Sequence, residues 1–203
     1  MKLYYSPGAC SLAPHILLRE TALQFQLERV NLAKHELANG EDYYKINSRG
    51  QVPLLVLDDG QQLTEGPVIA QYIAELAGRE DLLPPSKTLT RYRVLEWQNF
   101  ISTELHKGFG PLFRAKDYPD EVQTLVRQTL RTKFEWVAQQ LDGKDYTTGN
   151  NFTVADPYLF TVTSWAHHVD LNLSDLEPLM AFQKRIANRP AVREAIHTEK
   201  QTG

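Results

Sequence analysis

Tyr4-Tyr5-Ser6-Pro7-Gly8-Ala9-Cys10-Ser11 is the passage on which the reading of this chain turns. Residues 2–5 form a short apolar run that predicts a strand, and Ser6-Pro7-Gly8 is turn chemistry. From Ser11 onward Leu12, Ile16, Leu17 and Leu23 recur near helical spacing. Pro14 falls in the first turn of that helix, where a missing N–H has no partner to lose. Cys10, the only cysteine in 203 residues, therefore sits where strand and turn hand over to a helix. The leading amides of a helix lack partners, and its dipole places positive charge there. A thiol that ordinarily titrates near ~8.5 is drawn toward neutrality at such a tip, so the spacing predicts an activated Cys10. A lone cysteine is otherwise a small buried hydrophobe, and the turn-to-helix setting is what argues against that here.

Working outward, Phe25 to Leu32 alternates apolar and polar, the period of a half-buried strand. Strand, helix and strand make a right-handed β–α–β unit with parallel strands. Residues 33–50 are polar and irregular, with one helical turn expected around 41–44. Gly50-Gln51-Val52-Pro53 then leads into Leu54 to Leu57, an Asp-Asp-Gly turn and a second short strand, which spells a hairpin. Pro53 has no place inside a central strand and marks the first residue of this one. Thr64-Glu65-Gly66-Pro67 opens the next helix, whose apolar face is Val68, Ile69, Tyr72, Ile73 and Leu76. The order through residue 76 is β-α-β-(α)-β-β-α.

Composition shifts across residues 77–88, where glycine, charges and Pro84-Pro85 read as a linker between two domains, 1–76 and 89–203. Beyond it only helical periodicities follow: Val94 to Leu105, Val122 to Leu141, a helix opened by Thr153-Val154-Ala155-Asp156, one over about 175–187, and a short terminal helix. The Thr153/Asp156 pair is a capping-box signature in which each side chain can satisfy an amide at the helix start. On the first of these helices Asn99, Thr103, His106 and Gly110 are spaced to fall on one narrow arc. Such a stripe is commonly a helix's solvated side. Here the charged Arg93, Glu96, Glu104 and Lys107 lie elsewhere, and uncharged hydrogen-bonding groups suit a binding site better than open solvent.

A net charge of −3 gives no electrostatic footprint for nucleic acid, and no basic run suggests a membrane surface. The longest apolar run, Val52 to Leu57, is far too short to span a bilayer, and no apolar leader precedes the first strand. One cysteine excludes an intrachain disulfide framework and a multi-cysteine metal site, so no metal is expected and a cytoplasmic protein is.

Tyr-Ser-Pro-Gly-Ala-Cys-Ser-Leu-Ala, Gly-Gln-Val-Pro, Leu-Thr-Glu-Gly, Glu-Leu-His-Lys-Gly-Phe and Phe-Thr-Val-Ala-Asp together resemble the bacterial beta class of cytosolic glutathione transferases. The likeness covers essentially the whole chain, and the cysteine picks out the class. It implies an α+β protein, a thioredoxin-like βαβαββα domain followed by an all-α helical domain. It also implies a homodimer that conjugates the glutathione thiolate to small hydrophobic electrophiles in detoxification. Cys10 would lie beside the tripeptide's sulfur and be able to form a mixed disulfide with it, while His106 would approach that sulfur from the helical domain. Val52, before a cis proline, would pair its backbone with the cysteinyl unit. Glu65 and Gly66 would hold the γ-glutamyl carboxylate at a helix start. Asn99 and Thr103 belong to the same site, and Glu104 would reach the ammonium of a glutathione on the neighbouring subunit. Tyr5, Phe109, Phe113 and Trp165 are candidate walls for the hydrophobic substrate, and each is equally a candidate for core packing.

Two residues depart from the pattern. Position 35, commonly lysine where it meets the glycyl carboxylate, is His35, only partly charged near neutrality. Position 66, serine in many transferases, is Gly66 and offers only a backbone amide. The position three after Cys10 is Ala13, so no intramolecular dithiol cycle exists. Two other functions stay open on these residues: a glutathione-dependent thiol–disulfide reductase with Cys10 as nucleophile, and a non-catalytic protein that binds hydrophobic ligands.

Overall fold

The computed structural model describes residues 1–201. The chain forms two compact units, residues 1–80 together with the chain from Asn188 onward, and Asp81–Ala187.

The first unit is a five-stranded sheet with helices. Strands β1 (Lys2–Tyr5), β2 (Gln26–Asn31), β3 (Glu36–Leu37), β4 (Leu54–Val56) and β5 (Gln62–Leu63) lie in the order β3-β2-β1-β4-β5. β1 runs parallel to β2, with Leu3 opposite Leu27, and antiparallel to β4, with Leu3 opposite Leu55. The parallel pair follows from the crossover helix α1 (Leu12–Glu20) between them, and β4–β5 is the expected hairpin. Helix α2 (Gly66–Leu76) has Pro67 in its first turn. Leu3, Ile16, Leu17, Leu54, Leu55, Ile69 and Ile73 are fully buried and form the core.

Two details differ from expectation. The polar stretch after β2 contains a two-residue strand, β3, antiparallel to β2, and its helical turn is a 3₁₀ turn at Tyr43–Lys45, capped by the Asp42 carboxylate. Helix α8 (Pro190–Gln201) packs on α1 of this same unit. Arg189 holds both oxygens of Glu20 at 2.6 and 2.9 Å, and Arg19 reaches Glu194 and Thr198.

The second unit is helical, with no strand among its described residues. It comprises α3 (Leu89–Phe100), α4 (Gly110–Phe113), α5 (Asp120–Leu141), α6 (Asp156–Ser164) and α7 (Glu177–Ala187). Leu105, Phe109, Phe134, Val137, Leu159, Val162, Leu179 and Phe182 are fully buried. The Thr153/Asp156 signature is realised in one direction. Asp156 accepts the Thr153 amide at 2.6 Å and the Thr147 amide at 2.8 Å, while the Thr153 hydroxyl donates to Asp156 at 2.9 Å instead of taking an amide. Burial pushes the Asp156 carboxyl up to about 6 against the pull of these donors. No helix among the described residues is long and apolar enough to cross a membrane.

Candidate functional site

In the first unit the candidate residues are strung along one segment, Arg49 to Pro53. Cys10 lies half-buried at the end of the β1–α1 turn, and its Sγ donates to the Val52 carbonyl over 3.2 Å. The Val52–Pro53 peptide is cis, as the resemblance implied, and Val52 itself is buried in the core with Tyr4, Tyr43 and Leu54. The residues before it are pinned because the Gln51 carbonyl accepts from Tyr43 Oη at 2.9 Å and Asn47 Nδ2 at 2.7 Å. Burial in that cluster pushes the Tyr43 phenol up to about 12, so it stays a donor at any ordinary pH.

α1 starts at Leu12, and the Leu12 and Ala13 amides bond to the Ala9 and Cys10 carbonyls at 2.9 and 3.3 Å. These two amides thereby close the turn onto the start of the helix. The bond Cys10 makes to Val52 is one a thiol can donate and a thiolate cannot.

His35 adopts a left-handed φ of 55°, stacks on Tyr44 with centroids 4.5 Å apart, and places Nδ1 3.1 Å from the Gly50 carbonyl. A carbonyl only accepts, so Nδ1 carries the hydrogen; Nε2 is then a lone pair in the neutral ring and a donor only in the imidazolium. Gly50 cannot be larger: with φ +62°, an added Cβ would stand 2.6 Å from Tyr44 and 2.8 Å from His35 Nδ1. Glu65, at the cap position of α2, has φ +66°, a costly conformation for a non-glycine residue and one often found at binding sites. Its exposed carboxylate pairs with Arg49 at 2.6 Å. Gly66 follows at the helix start, and a Cβ there would meet only Pro53 Cγ, at 3.9 Å.

In the second unit the expected polar arc does not exist as a straight helix face. α3 ends at Phe100, residues 101–106 form a π-helical turn, 107–109 a 3₁₀ turn, and α4 follows. The wide π turn rotates His106 out of register with Asn99. Asn99 and Thr103 remain neighbours, with Thr103 Oγ1 donating to the Asn99 carbonyl at 3.1 Å. Glu104 is claimed by Lys133, whose Nζ lies 2.8 Å from its carboxylate and 3.1 Å from its carbonyl. That lysine holds the Glu104 carboxyl below its ordinary range.

His106 lies 2.7 Å through Nδ1 from the Tyr158 hydroxyl, and its ring meets Trp165 edge-on at 4.8 Å. Phe109, Phe113 and Trp165 close into one aromatic cluster, with centroids 5.4 to 5.8 Å apart. Phe113 is half exposed; Phe109 and Trp165 are buried. Three of the four candidate walls thus gather beside His106. Tyr5 belongs to the other unit and is core, 1% exposed and packed near His15.

Sequence reasoning passed over Arg49, Tyr158 and His15. Arg49 lay in an irregular polar stretch, and Tyr158 and His15 read as ordinary positions on apolar helices, with nothing in their spacing to announce a partner far along the chain.

A thiol bonded to the carbonyl before a cis proline and β4, in a β3-β2-β1-β4-β5 sheet with a second, helical unit in the same chain, is a thioredoxin-like arrangement. Residues 1–75 match the glutathione S-transferase N-terminal domain, and residues 100–190 its C-terminal domain. Glutathione S-transferase GstA of Escherichia coli O157:H7 is 50% identical over 199 residues, 98% of this chain and 98% of that one. The ternary complex of BphK, a bacterial GST, matches with a TM-score of 0.93 at 48% identity, over 98% of this chain and 100% of that one. The chain therefore belongs to the glutathione S-transferase family and is a transferase. Its likeness runs to the bacterial beta class: the Sphingomonas chungbukensis enzyme of that class matches with a TM-score of 0.93 at 41% identity, over 98% of each chain.

Proposed function

We propose that this transferase joins the glutathione thiolate to small hydrophobic electrophiles, with Cys10 able to form a mixed disulfide with glutathione. The observation that carries the reading is the seat of the Cys10 sulfur, 3.2 Å from the carbonyl of Val52. A tripeptide pairing its cysteinyl unit with the Val52 backbone as an added strand brings its own sulfur to Cys10. Glu65 and the Gly66 amide take the γ-glutamyl end, where a helix start favours a carboxylate. His35 takes the glycyl carboxylate as imidazolium, because its Nδ1 hydrogen is committed to Gly50. Asn99, Thr103 and His106 complete the glutathione set, and Glu104 serves the partner subunit's glutathione. His106 donates to the attacking sulfur, and the cluster of Phe109, Phe113 and Trp165 receives the electrophile. Cys10 and His106 share the stabilisation of the anion, which is the nucleophile, and neither is indispensable. For the mixed disulfide, the Cys10 thiolate attacks oxidised glutathione; the new S–S bond forms, the old one breaks, and one glutathione thiolate leaves.

The homodimer is part of the same proposal, supported by apolar side chains left outward on the second unit: Leu89 and Tyr92 on α3 and Trp136 on α5 are exposed. One experiment tests the whole reading. The protein should be retained on immobilised glutathione, conjugate an aryl halide, and gain one glutathione at Cys10 by mass spectrometry after exposure to oxidised glutathione. No retention would favour a non-catalytic binder, and mixed-disulfide turnover far exceeding conjugation would favour a reductase.

A further inference from the structure

Behind the Cys10 turn lies a buried carboxylate that the proposed chemistry does not use. Glu199, on α8, is 3% exposed, and its Oε2 accepts the amide of Gly8 at 2.9 Å. Its Oε1 lies 2.8 Å from Nδ1 of His15, which is fully buried on α1. Arg19, one turn further along α1, donates through Nε to His15 Nε2 at 2.9 Å, and its other nitrogens reach Glu194 and Thr198. A guanidinium has no acceptor, so His15 Nε2 must accept. The hydrogen of the ring is therefore on Nδ1 and points at Glu199. The chain runs in one direction, guanidinium to imidazole to carboxylate, and it ends with the carboxylate receiving the Gly8 amide.

Gly8 stands two residues before Cys10 with φ +70°, in a turn where Ala9 N–H donates to the Ser6 carbonyl at 3.0 Å and Ser11 Oγ accepts the Ser6 amide at 3.2 Å and donates to its carbonyl at 3.3 Å. A buried carboxylate with both oxygens accepting is tolerated only where the donors stay in place, and the donor it shares with the turn is the Gly8 amide. We propose that Glu199 is a positioning residue for Cys10: it anchors the turn that carries the sulfur, and His15 and Arg19 keep it oriented and compensated. The inference rests on reading Cys10 as the thiol of the site, but its tests need no glutathione.

The experiment compares the full-length wild type with Glu199→Ala, Glu199→Gln and Arg189→Ala. The last is a control that breaks the pair between Arg189, just before α8, and Glu20 at the end of α1, away from the turn. Melting temperature, Gly8 amide exchange and the rate of Cys10 alkylation by iodoacetamide are measured. In Glu199→Ala, exchange at Gly8 should accelerate by ~10-fold or more, as expected when a charged hydrogen bond is lost. Alkylation should also speed up, because the sulfur loses its fixed place at Val52 and a nearby negative charge is removed. Glu199→Gln retains the volume and decides the matter if the alanine variant does not fold. Its amide can serve Gly8 or His15 but not both, so both readouts should fall between wild type and alanine. Arg189→Ala should lower the melting temperature with both readouts within ~2-fold of wild type. The proposal is overturned if the Glu199 variants change Gly8 and Cys10 no more than Arg189→Ala does, or if ¹⁵N spectra of the wild type place the His15 hydrogen on Nε2.

Discussion

The two units position their candidate groups by different means. In the first, the groups are largely backbone: the Val52 carbonyl, the Gly50 carbonyl behind His35, the Gly8 amide and the start of α2. Their places are set by sheet register and by a few pinned turns. In the second, the groups are side chains on an irregular helix: His106 is oriented by Tyr158 and Trp165, and the turn that carries it departs from α geometry. A backbone-built site tolerates exchange of neighbouring side chains, whereas a side-chain cluster fails one partner at a time.

The sharpest way to break this contrast is at Asp156, the buried carboxylate that organises the start of α6 and so the helix bearing Tyr158. Asp156→Asn presents donors with another donor and should cost about 3 kcal/mol or more in urea unfolding. The sign of its pH dependence follows from a folded pKa of about 6 against 3.8 for the ordinary carboxyl. Stability from this group is fully present below the lower value and lost as pH rises through the upper one, so the wild-type advantage over the asparagine variant should shrink between those limits and level off above. A widening gap over that range would show that the three donors outweigh burial.

Tyr158→Phe comes next. It removes the hydroxyl that holds His106 and should lower kcat by ~10-fold with the glutathione KM nearly constant. A change confined to KM would mean that His106 acts in binding alone. In the first unit, His35→Lys should tighten glutathione binding by ~3- to 10-fold, because an ammonium on a flexible stem is a better partner for the glycyl carboxylate than an imidazole whose Nδ1 is held by the Gly50 carbonyl. Isothermal titration reads the gain, and equal affinities for wild type and the lysine variant would remove His35 from the site. The smallest effect is expected for Gly66→Ser, which has room for its Cβ and adds a hydroxyl at the γ-glutamyl end, tightening binding by roughly 3-fold. Isothermal titration distinguishes that gain from none.

The contrast also explains what was legible beforehand. The sheet and hairpin announce themselves through period-two runs and turn residues, and Gly-Gln-Val-Pro marks the strand edge at which Cys10 bonds. β3 was lost because two residues carry no period. The π-helical turn was lost because one extra residue per turn leaves the apolar spacing of Val94, Ile101 and Leu105 intact; its trace lies in Gly108-Phe109-Gly110-Pro111. There a Cβ on Gly108 would stand 2.8 Å from Leu130 Cδ2 of α5, which would have to shift. The Glu199–His15 pair had no local signal at all, because its members are 184 positions apart.

That separation has a consequence for how the molecule comes into being. The turn carrying the sulfur leaves the ribosome well before the helix that packs behind α1, whose Glu199 lies 184 positions beyond His15. During synthesis the thiol must wait, on a turn without its backing, while the whole helical unit is made. Reactive small molecules would meet Cys10 in nascent chains in a looser setting than the one it keeps for the rest of the protein's life.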